Sequence, residues 1–293
     1  MIPTSGSRDK EAMRYLCLLG AFLMSCSTVT TQSDPSVASS RNPTIIGHRG
    51  GSLEVPENTL AAFRYSRDLG LKWLELDVRM AADGVVVCHD AFLGRLGKRP
   101  DIEVWKTPIT ALKEISVGDP MPSEYALGKL EEFGLSVPRF GDAYANETIP
   151  TLIEALQAVE DIHFMVELKE GPYGAVLADE AIADIRQVNA LDRVLLGSFD
   201  LDLLDRAAQL APDTPLIGIA EEPEMIPELL KRPIRYLAVS EDLVDLALKS
   251  KPASVTLWVW TIRDLSEAKR LVAKGVDGLI SDIPKKVRDG LNP

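Results

Sequence analysis

Residues 73–90, WLELDVRMAADGVVVCHD, contain two predicted strands, and the link between them decides the fold. The first strand alternates polar and apolar side chains, which is typical of a strand whose two faces meet different surroundings. A parallel crossover needs about a dozen residues or more, but only a short link containing Ala82-Asp83-Gly84 follows. The second strand, Val85–His89, is therefore predicted to run back antiparallel as a β-hairpin, which brings His89 level with Glu75.

From residue 44 onward, short apolar runs alternate with helical patterns. Such alternation indicates a parallel sheet with helices outside it. The predicted strands are Thr44–His48, Trp73–Val78, Val85–His89, Phe164–Leu168, Val194–Ser198, Leu216–Ala220, Tyr236–Val239, Thr256–Trp260 and Gly278–Ser281. Setting the hairpin strand aside leaves the strand number of a barrel, so the predicted fold class is α/β, a TIM-type (β/α)8 barrel with a β-hairpin after strand 2.

Residues 91–147 interrupt the alternation with several prolines and glycines and one short helical pattern around Ile109–Ile115. We interpret them as an insertion over the mouth of the barrel. The barrel domain as a whole is assigned to residues 44–293, a length that agrees with the roughly 250 residues typical of this fold.

The N-terminal segment is predicted to be a targeting sequence. Residues 15–24, YLCLLGAFLM, form an apolar run too short to span a bilayer but long enough for a signal-peptide core. Residues 1–25 are therefore assigned as a signal peptide, and the Ser/Thr-rich residues 26–43 as a flexible tether. Leu23-Met24-Ser25-Cys26 resembles a bacterial lipobox. This implies acylation of Cys26 and a membrane-anchored lipoprotein of the bacterial cell envelope, facing the periplasm or the exterior, with ordinary secretion as the alternative.

The charge composition excludes one class of partner. The 293 residues include 32 Lys and Arg against 44 Asp and Glu, which gives a net charge of −12. An acidic chain is a poor binder of phosphate backbones, so a nucleic-acid partner is excluded. Three cysteines are too few for a disulfide framework. The composition indicates no particular oligomeric state.

Acidic side chains are predicted inside the barrel. Glu75 and Asp77 share one face of their strand, Glu167 and Lys169 share one face of a later strand, and apolar residues lie opposite in both. Because the apolar face packs on the helices, the charged groups point into the lumen. Buried acids repel one another unless a positive charge lies between them, and Ca²⁺ or Mg²⁺ takes such oxygen ligands. The alternative is a polar lumen satisfied by internal salt bridges.

His48 and His89 are candidates for acid–base catalysis. His48 ends the first strand, at the face where barrel active sites lie, and His89 ends the hairpin. Two imidazoles beside a divalent cation supply a general base and a general acid at neutral pH. A lone histidine is more often structural, and His163, expected at the opposite end of the barrel, is assigned no role.

A series of short motifs across residues 45–284 resembles the glycerophosphodiester phosphodiesterase family, in the family's order. The motifs are His48-Arg49-Gly50, Pro56-Glu57-Asn58-Thr59, Glu75-Leu76-Asp77, Asp83-Gly84, His89-Asp90, Glu167-Leu168-Lys169, Ser198-Phe199, Trp258-Val259-Trp260-Thr261 and Gly275-Val276-Asp277-Gly278. The resemblance implies a barrel of the phospholipase-C-like phosphodiesterase type. It also implies metal-dependent hydrolysis of glycerophosphodiesters, which are small-molecule substrates, to an alcohol and glycerol 3-phosphate.

The resemblance also implies roles for individual residues. It implies metal ligands at Glu75, Asp77 and Glu167 for one divalent cation, Ca²⁺ or Mg²⁺, an acid–base pair at His48 and His89, and phosphate binders at Arg49 and Lys169. Trp258 and Trp260 alternate with Val259, so both indoles can face the lumen. They are predicted either to form a wall against the alcohol of the substrate or to pack in the core.

Three positions depart from the family's pattern. Val55 stands where the family usually has alanine, Gly94–Lys98 replaces an Arg-Thr-Thr-like stretch, and Arg263 replaces a common asparagine. The last two lie near the expected mouth and bear on substrate identity more than on chemistry. Two other functions remain open: a lipid phosphodiesterase of the lysophospholipase D or phosphatidylinositol-phospholipase kind, and a non-catalytic surface lipoprotein that captures glycerophosphodiesters.

Overall fold

The structure, a computed structural model, describes residues 42–291 except Phe133 and Leu135. The predicted signal peptide, Cys26 and almost all of the predicted tether lie outside the described residues. Within the described part of the chain, every helix is too short or too polar to cross a bilayer.

Strands of the described residues fall into one large and one small sheet. In chain order they are β1 (Thr44–Gly47), β2 (Trp73–Met80), β3 (Val85–Val87), β4 (Phe92–Leu93), β5 (Arg99–Glu103), β6 (His163–Leu168), β7 (Val194–Ser198), β8 (Leu216–Ala220), β9 (Tyr236–Ser240), β10 (Thr256–Ile262) and β11 (Gly278–Ser281). The order around the large sheet is β1-β11-β10-β9-β8-β7-β6-β2, and β2 pairs with β1 to close the ring. The predicted barrel of eight parallel strands is confirmed.

The predicted hairpin is also confirmed, with a register that differs by one residue. β3 pairs antiparallel with β2, and Val87 lies opposite Val78. The Cys88 N–H donates to the carbonyl of Asp77 at 2.9 Å. Since this places Cys88 opposite Asp77, His89 comes level with Leu76 rather than with Glu75. The expected register assumed a turn centred on Ala82, whereas the observed pairing centres between Ala82 and Asp83.

Most of the helices cover the outside of the barrel, and the others belong to residues 91–147. In chain order they are α1 (Leu60–Asp68), α2 (Gly94–Gly97), α3 (Ile109–Leu112), α4 (Glu124–Glu132), α5 (Leu152–Ala158), α6 (Val176–Gln187), α7 (Leu201–Leu210), α8 (Met225–Leu229), α9 (Val244–Ser250), α10 (Leu265–Lys274) and α11 (Pro284–Leu291). Several begin where a side-chain oxygen accepts from free backbone N–H groups of the first turn, as at Thr59 before α1 and Asp264 before α10.

Residues 91–147 form a small subdomain with its own core. β4 pairs with β5, and α3 and α4 follow. Its buried apolar residues, including Leu93 and Leu112, cluster with Val86 of the hairpin, and this cluster is separate from the barrel core. Pro122 and Ser123 of this insertion line a recess beside His48. The sequence predicted one short helix in this segment, and α3 lies at that place. The β4–β5 pair and α4 were not predicted, because their residues show no clear periodic pattern.

The lumen of the barrel has two layers. Its lower layer is apolar and includes Met165, Ile217 and Trp258. Gly278 makes room for the Trp258 ring, since a Cβ at this glycine would lie 2.4 Å from the indole Cδ1. The upper layer holds the buried carboxylates of Glu75, Asp77 and Glu167. The intervening Leu74, Leu76 and Val78 pack outward in the main core, as the alternation predicted.

Candidate functional site

A cavity of about 300 Å³ opens at the C-terminal ends of the barrel strands. Most of the residues predicted to act in a site line it: His48, Arg49, Glu75, His89, Glu167, Lys169 and Trp260. Asp77 lies within ion-pair distance of Arg49 and Lys169, so it belongs to the same group. The structure therefore brings together side chains from four separate parts of the sequence, at the ends of β1, β2 with its hairpin, β6 and β10.

The turn after β1 places His48 and Arg49 at the mouth. Arg49 has a left-handed φ of 51°, and Gly50 follows with a φ of 84°. A Cβ at Gly50 would lie 2.6 Å from the Cβ of Ala62, so only glycine fits against α1. The backbone N–H of Arg49 donates to Glu75 Oε2 at 2.8 Å, which fixes the turn against β2.

Three buried carboxylates form a candidate metal centre. Glu75, Asp77 and Glu167 each offer one oxygen, and these oxygens lie within 4.8 Å of one another. Glu75 Oε1 and Asp77 Oδ1 are buried and have no hydrogen-bond partner. Burial and the neighbouring charges of Asp77 and Glu167 raise the pKa of Glu75 well above its ordinary value. Oxygen donors that are unsatisfied and mutually repelling fit a hard divalent cation.

Two cationic side chains flank the carboxylates. Arg49 Nε lies 3.1 Å from Asp77 Oδ2, and Lys169 Nζ lies 2.6 Å from Glu167 Oε1 and 3.6 Å from Asp77 Oδ1. Burial opposes the charge of Asp77, but Arg49 and the other nearby positive groups outweigh it and hold its pKa below the ordinary range. The amide of Asn58 also donates to Asp77 Oδ2, at 2.9 Å. Asp77 is thus ionised and held in one orientation.

His48 is fixed through one ring nitrogen by Asp282. The distance from His48 Nδ1 to Asp282 Oδ1 is 2.5 Å, and Ser52 Oγ donates to the same oxygen. Arg263 Nε lies 2.6 Å from Asp282 Oδ2. Burial opposes ionisation of Asp282, but Arg263 and His48 outweigh it and keep the pKa of this carboxyl below its ordinary value. The other nitrogen, His48 Nε2, lies 3.9 Å from Glu75 Oε2.

His89 has a matching arrangement on the other side of the cavity. His89 Nδ1 lies 2.8 Å from Asp90 Oδ1, which leaves Nε2 as the second nitrogen. Burial and the guanidinium of Arg49 lower the pKa of His89 below its ordinary value. Each imidazole is therefore oriented by an aspartate through Nδ1, and the lowered pKa of His89 favours the neutral form of its ring.

The two predicted wall residues occupy different layers. Trp260 lines the cavity and meets the ring of Phe199 edge to face, with centroids 5.6 Å apart. Trp258 lies in the apolar layer below, edge to face with Trp73 and Tyr236 at 5.3 and 5.1 Å. Of the two alternatives left open for these indoles, core packing describes Trp258, and Trp260 forms part of the cavity wall.

Sequence reasoning gave no role to several residues that hold the site together. Asp282 and Ser52 fix His48, Asp90 fixes His89, and Asn58 fixes Asp77. Asp282 follows β11 directly, and a carboxylate at the C-terminal end of a barrel strand could have been noticed as a candidate. Arg263, which departs from the family's pattern, is 4% exposed and lies in the cavity wall.

Comparison with known proteins gives a consistent result. Residues 48–286 match the model of the Glycerophosphoryl diester phosphodiesterase family. A glycerophosphodiester phosphodiesterase of Caldanaerobacter subterraneus subsp. tengcongensis is 29% identical over 253 residues, which cover 82% of this chain and 94% of that protein. Another from Bacillus altitudinis is 29% identical over 256 residues, covering 83% of this chain and 95% of that protein.

A solved structure is similar over nearly its whole length. It is a phosphodiesterase of Oleispira antarctica in complex with the product sn-glycerol-3-phosphate. Its TM-score is 0.74 and its sequence identity 27%, over 87% of this chain and 99% of that chain. The barrel fold, the family match and the similar enzymes therefore all point to the same family.

Proposed function

The chain belongs to the glycerophosphoryl diester phosphodiesterase family and is an enzyme that hydrolyses glycerophosphodiesters, and we propose that the cavity at its barrel mouth performs this reaction, releasing an alcohol and glycerol 3-phosphate. One observation carries the assignment to this cavity. Three carboxylates, two cationic side chains and two aspartate-oriented imidazoles converge on it.

The carboxylates of Glu75, Asp77 and Glu167 would hold one divalent cation, for which we propose Mg²⁺ or Ca²⁺. The unsatisfied buried oxygens of Glu75 and Asp77 support this proposal. When bound, such a cation supplies positive charge that polarises a phosphoryl oxygen and lowers the pKa of a nearby hydroxyl.

Arg49 and Lys169 would bind the phosphate of the substrate. Both side chains line the cavity, and both are held beside the carboxylates by ion pairs. Burial opposes the charge of Lys169, but Glu167 and Asp77 outweigh this and raise its pKa, so its ammonium is charged throughout the neutral range. Charge-assisted hydrogen bonds from both groups would hold the phosphodiester and stabilise charge that develops on its oxygens.

His48 and His89 would move the protons. One would remove the proton of the glycerol hydroxyl that attacks phosphorus, and the other would give a proton to the departing alcohol oxygen. Water would then open the cyclic phosphate so formed, with the two proton transfers reversed, to give glycerol 3-phosphate. Asp282 and Asp90 accept from the Nδ1 side of each ring, so the Nε2 atoms are the ones available to the substrate. When attack and departure occur in one displacement, a single ring would have to take up one proton and give up another in the same step, so two imidazoles are needed.

A comparison of the chain's three histidines tests the proposal. We would measure glycerol 3-phosphate release from glycerophosphocholine by the wild type and by His48→Gln, His89→Gln and His163→Gln, with Mg²⁺, with Ca²⁺ and with chelator. The exposed His163 stacks on Trp73 at the N-terminal end of β6, so its variant is the matched control. We expect a loss of about 10³-fold in the two cavity variants, no loss in the control and no release with chelator. Wild-type turnover in both cavity variants would reject the assignment.

We also propose that the mature protein is held at a bacterial membrane by a lipid on Cys26. The apolar run at residues 15–24 and Leu23-Met24-Ser25-Cys26 support this proposal. Incorporation of a labelled fatty acid into the full chain expressed in a bacterium, and its absence from Cys26→Ser, is the expected result. Equal labelling of both proteins would reject acylation at this residue.

A further inference from the structure

Arg95 of the insertion joins three segments around the cavity. Its Nε and Nη2 donate to the two oxygens of Asp90, both at 2.9 Å. Its Nη1 and Nη2 donate to the two oxygens of Glu57, at 2.5 and 2.9 Å. A further bond runs from Nη1 to the carbonyl of Met121, at 2.8 Å. Arg95 does not line the cavity itself, so it can act on the reaction only through these partners.

Each carboxylate that Arg95 binds also holds a group of the cavity. Asp90 contacts Nδ1 of His89 at 2.8 Å, and Glu57 accepts from Arg49 Nη1 at 2.9 Å. One guanidinium therefore sets the separation between the carboxylate that orients a proposed acid–base group and the carboxylate that orients a proposed phosphate binder.

The contacts continue as a ladder of alternating charge. Its charged members, in order, are Asp90, Arg95, Glu57, Arg49, Asp77, Lys169 and Glu167, and the His89 ring lies at the Asp90 end. Burial opposes ionisation of Glu57, but Arg49 and Arg95 outweigh it and hold the pKa of this carboxyl below its ordinary value. Removing the central cation would leave the buried carboxylate of Glu57 and the partly buried carboxylate of Asp90 half-satisfied, each free to draw its other partner out of place.

The third partner, Met121, extends the effect of Arg95 to a second part of the insertion. Met121 is followed by Pro122 and Ser123, which line the recess beside His48. The same guanidinium therefore anchors the segment that covers the His48 side of the cavity. A planar group with five N–H donors can serve two carboxylates and a carbonyl at once, which a lysine ammonium cannot do in this geometry.

We propose that Arg95 is a positioning residue of this enzyme: by holding Asp90 and Glu57 at a fixed separation, it orients His89 and Arg49 for the reaction without contacting the substrate. The inference rests on the proposed function of the cavity. It assigns to the insertion a part in assembling the catalytic site in addition to covering it.

The first test compares turnover of Arg95→Gln and Arg95→Lys with that of Arg99→Gln. Arg99 lies in the same insertion and makes an exposed ion pair with Asp101, so its variant is the matched control. We expect kcat to fall about 10²-fold in Arg95→Gln and by a similar factor in Arg95→Lys, with Arg99→Gln within about twofold of the wild type. Near-wild-type kcat in Arg95→Gln would overturn the proposal.

A cycle of variants separates positioning from general destabilisation. If Arg95 acts through its two carboxylates, adding Arg95→Gln to Glu57→Gln/Asp90→Asn should reduce kcat by no more than about threefold further. A full additional loss of about 10²-fold in that background would show that Arg95 acts by another route and would also overturn the proposal.

A readout that does not depend on turnover completes the design. The chain has three histidines, so the ring signals of ¹⁵N-histidine-labelled protein are few enough to assign with the His→Gln variants. Arg95→Gln should shift or split the signals of His89 and leave those of His163 unchanged, whereas Arg99→Gln should change neither. Unchanged His89 signals would overturn the inference even if kcat fell. Absence of wild-type turnover would reject the proposed function, and the spectra would still decide the role of Arg95.

Discussion

The upper and lower halves of the barrel lumen are built on the same strands but hold opposite kinds of side chain. β2 carries Trp73 in the lower half and Glu75 and Asp77 in the upper half, and β10 carries Trp258 below Trp260. Inward-facing neighbours on a strand are only about 7 Å apart. The change from a packed apolar layer to a charged cavity therefore takes place within two residues.

The difference shows how the fold supports a reactive site. The lower layer consists of interlocking rings and aliphatic groups with little exposure, and its burial contributes to stability. The upper layer concentrates like charges in a buried place, which opposes folding unless cations offset it. We therefore expect substitutions in the upper layer to change turnover and substitutions in the lower layer to change the free energy of unfolding.

The largest effect is expected from Glu75→Gln, which preserves the shape of a proposed metal ligand. With one carboxylate removed, cation binding should weaken and turnover should fall by about 10³-fold or more. In chelator, the variant should melt no lower than the wild type, because the amide replaces a carboxyl whose ionisation is already opposed by burial and by the charges of Asp77 and Glu167. Calorimetric titration with Mg²⁺ and Ca²⁺, together with thermal melting in chelator, checks both parts. A destabilised variant that keeps its turnover would break the division between the layers.

Trp258→Ala tests the lower layer. Removing a buried indole should lower the free energy of unfolding by about 3–5 kcal/mol. Because Trp260 lies two residues along the strand and faces the cavity, Trp260→Ala is the matched control. It should raise KM several-fold with a smaller loss of stability. Denaturant unfolding and steady-state kinetics below the melting temperature measure the two effects. The expectation fails if Trp258→Ala lowers kcat strongly but leaves the free energy of unfolding close to that of the wild type.

Asp282→Asn sharpens the comparison within the upper layer. The amide keeps the size of the side chain but loses the charge that fixes His48 Nδ1, so kcat should fall about 10²-fold while KM changes little. Since burial of this carboxyl is outweighed by Arg263 and His48, its pKa lies below the ordinary range and it is ionised throughout the neutral range. Because the wild-type carboxylate is present throughout this range, the loss in Asp282→Asn should not be confined to its acid end, at about pH 6. A loss confined to the acid end of this range would contradict the assigned role.

Local patterns in the sequence were enough to predict the barrel, the hairpin and the inward direction of Glu75 and Asp77, because strand alternation and a short link act over a few residues. The partners of the imidazoles were harder to foresee. His48 and Asp282 are 234 residues apart, and Arg95 and Glu57 are 38 apart, so their contact depends on closure of the ring and docking of the insertion. The alternation of side chains along a strand also cannot distinguish Trp258 from Trp260, because it predicts which face of the strand a residue lies on but not its height within the lumen.

The smallest effect is expected outside the lumen, at a half-buried carboxyl group that takes no part in the site. Asp184 lies on α6, and burial together with the charge of Glu180 raises its pKa to about 6. Because the folded pKa exceeds the unfolded one, its contribution to stability is present below about pH 4 and is lost as the pH rises through 6. Asp184→Asn should therefore raise the free energy of unfolding at pH 7 by about 1 kcal/mol, after allowance for solvent screening of a half-buried group, and change it little at pH 4.

Asp179 on the same helix gives the matched control for this prediction. Its carboxylate lies 2.5 Å from Arg206 Nη2, so Asp179→Asn loses an ion pair and should not gain stability at pH 7. Both variants should keep wild-type turnover, because neither side chain lines the cavity. Urea unfolding at pH 4 and pH 7 measures the difference. The prediction fails if the free energy of unfolding rises in both variants, or if the rise in Asp184→Asn persists at pH 4. Either result would mean that the charge of a partly buried carboxylate is not what lowers stability, which is also the assumption made for the upper layer of the lumen.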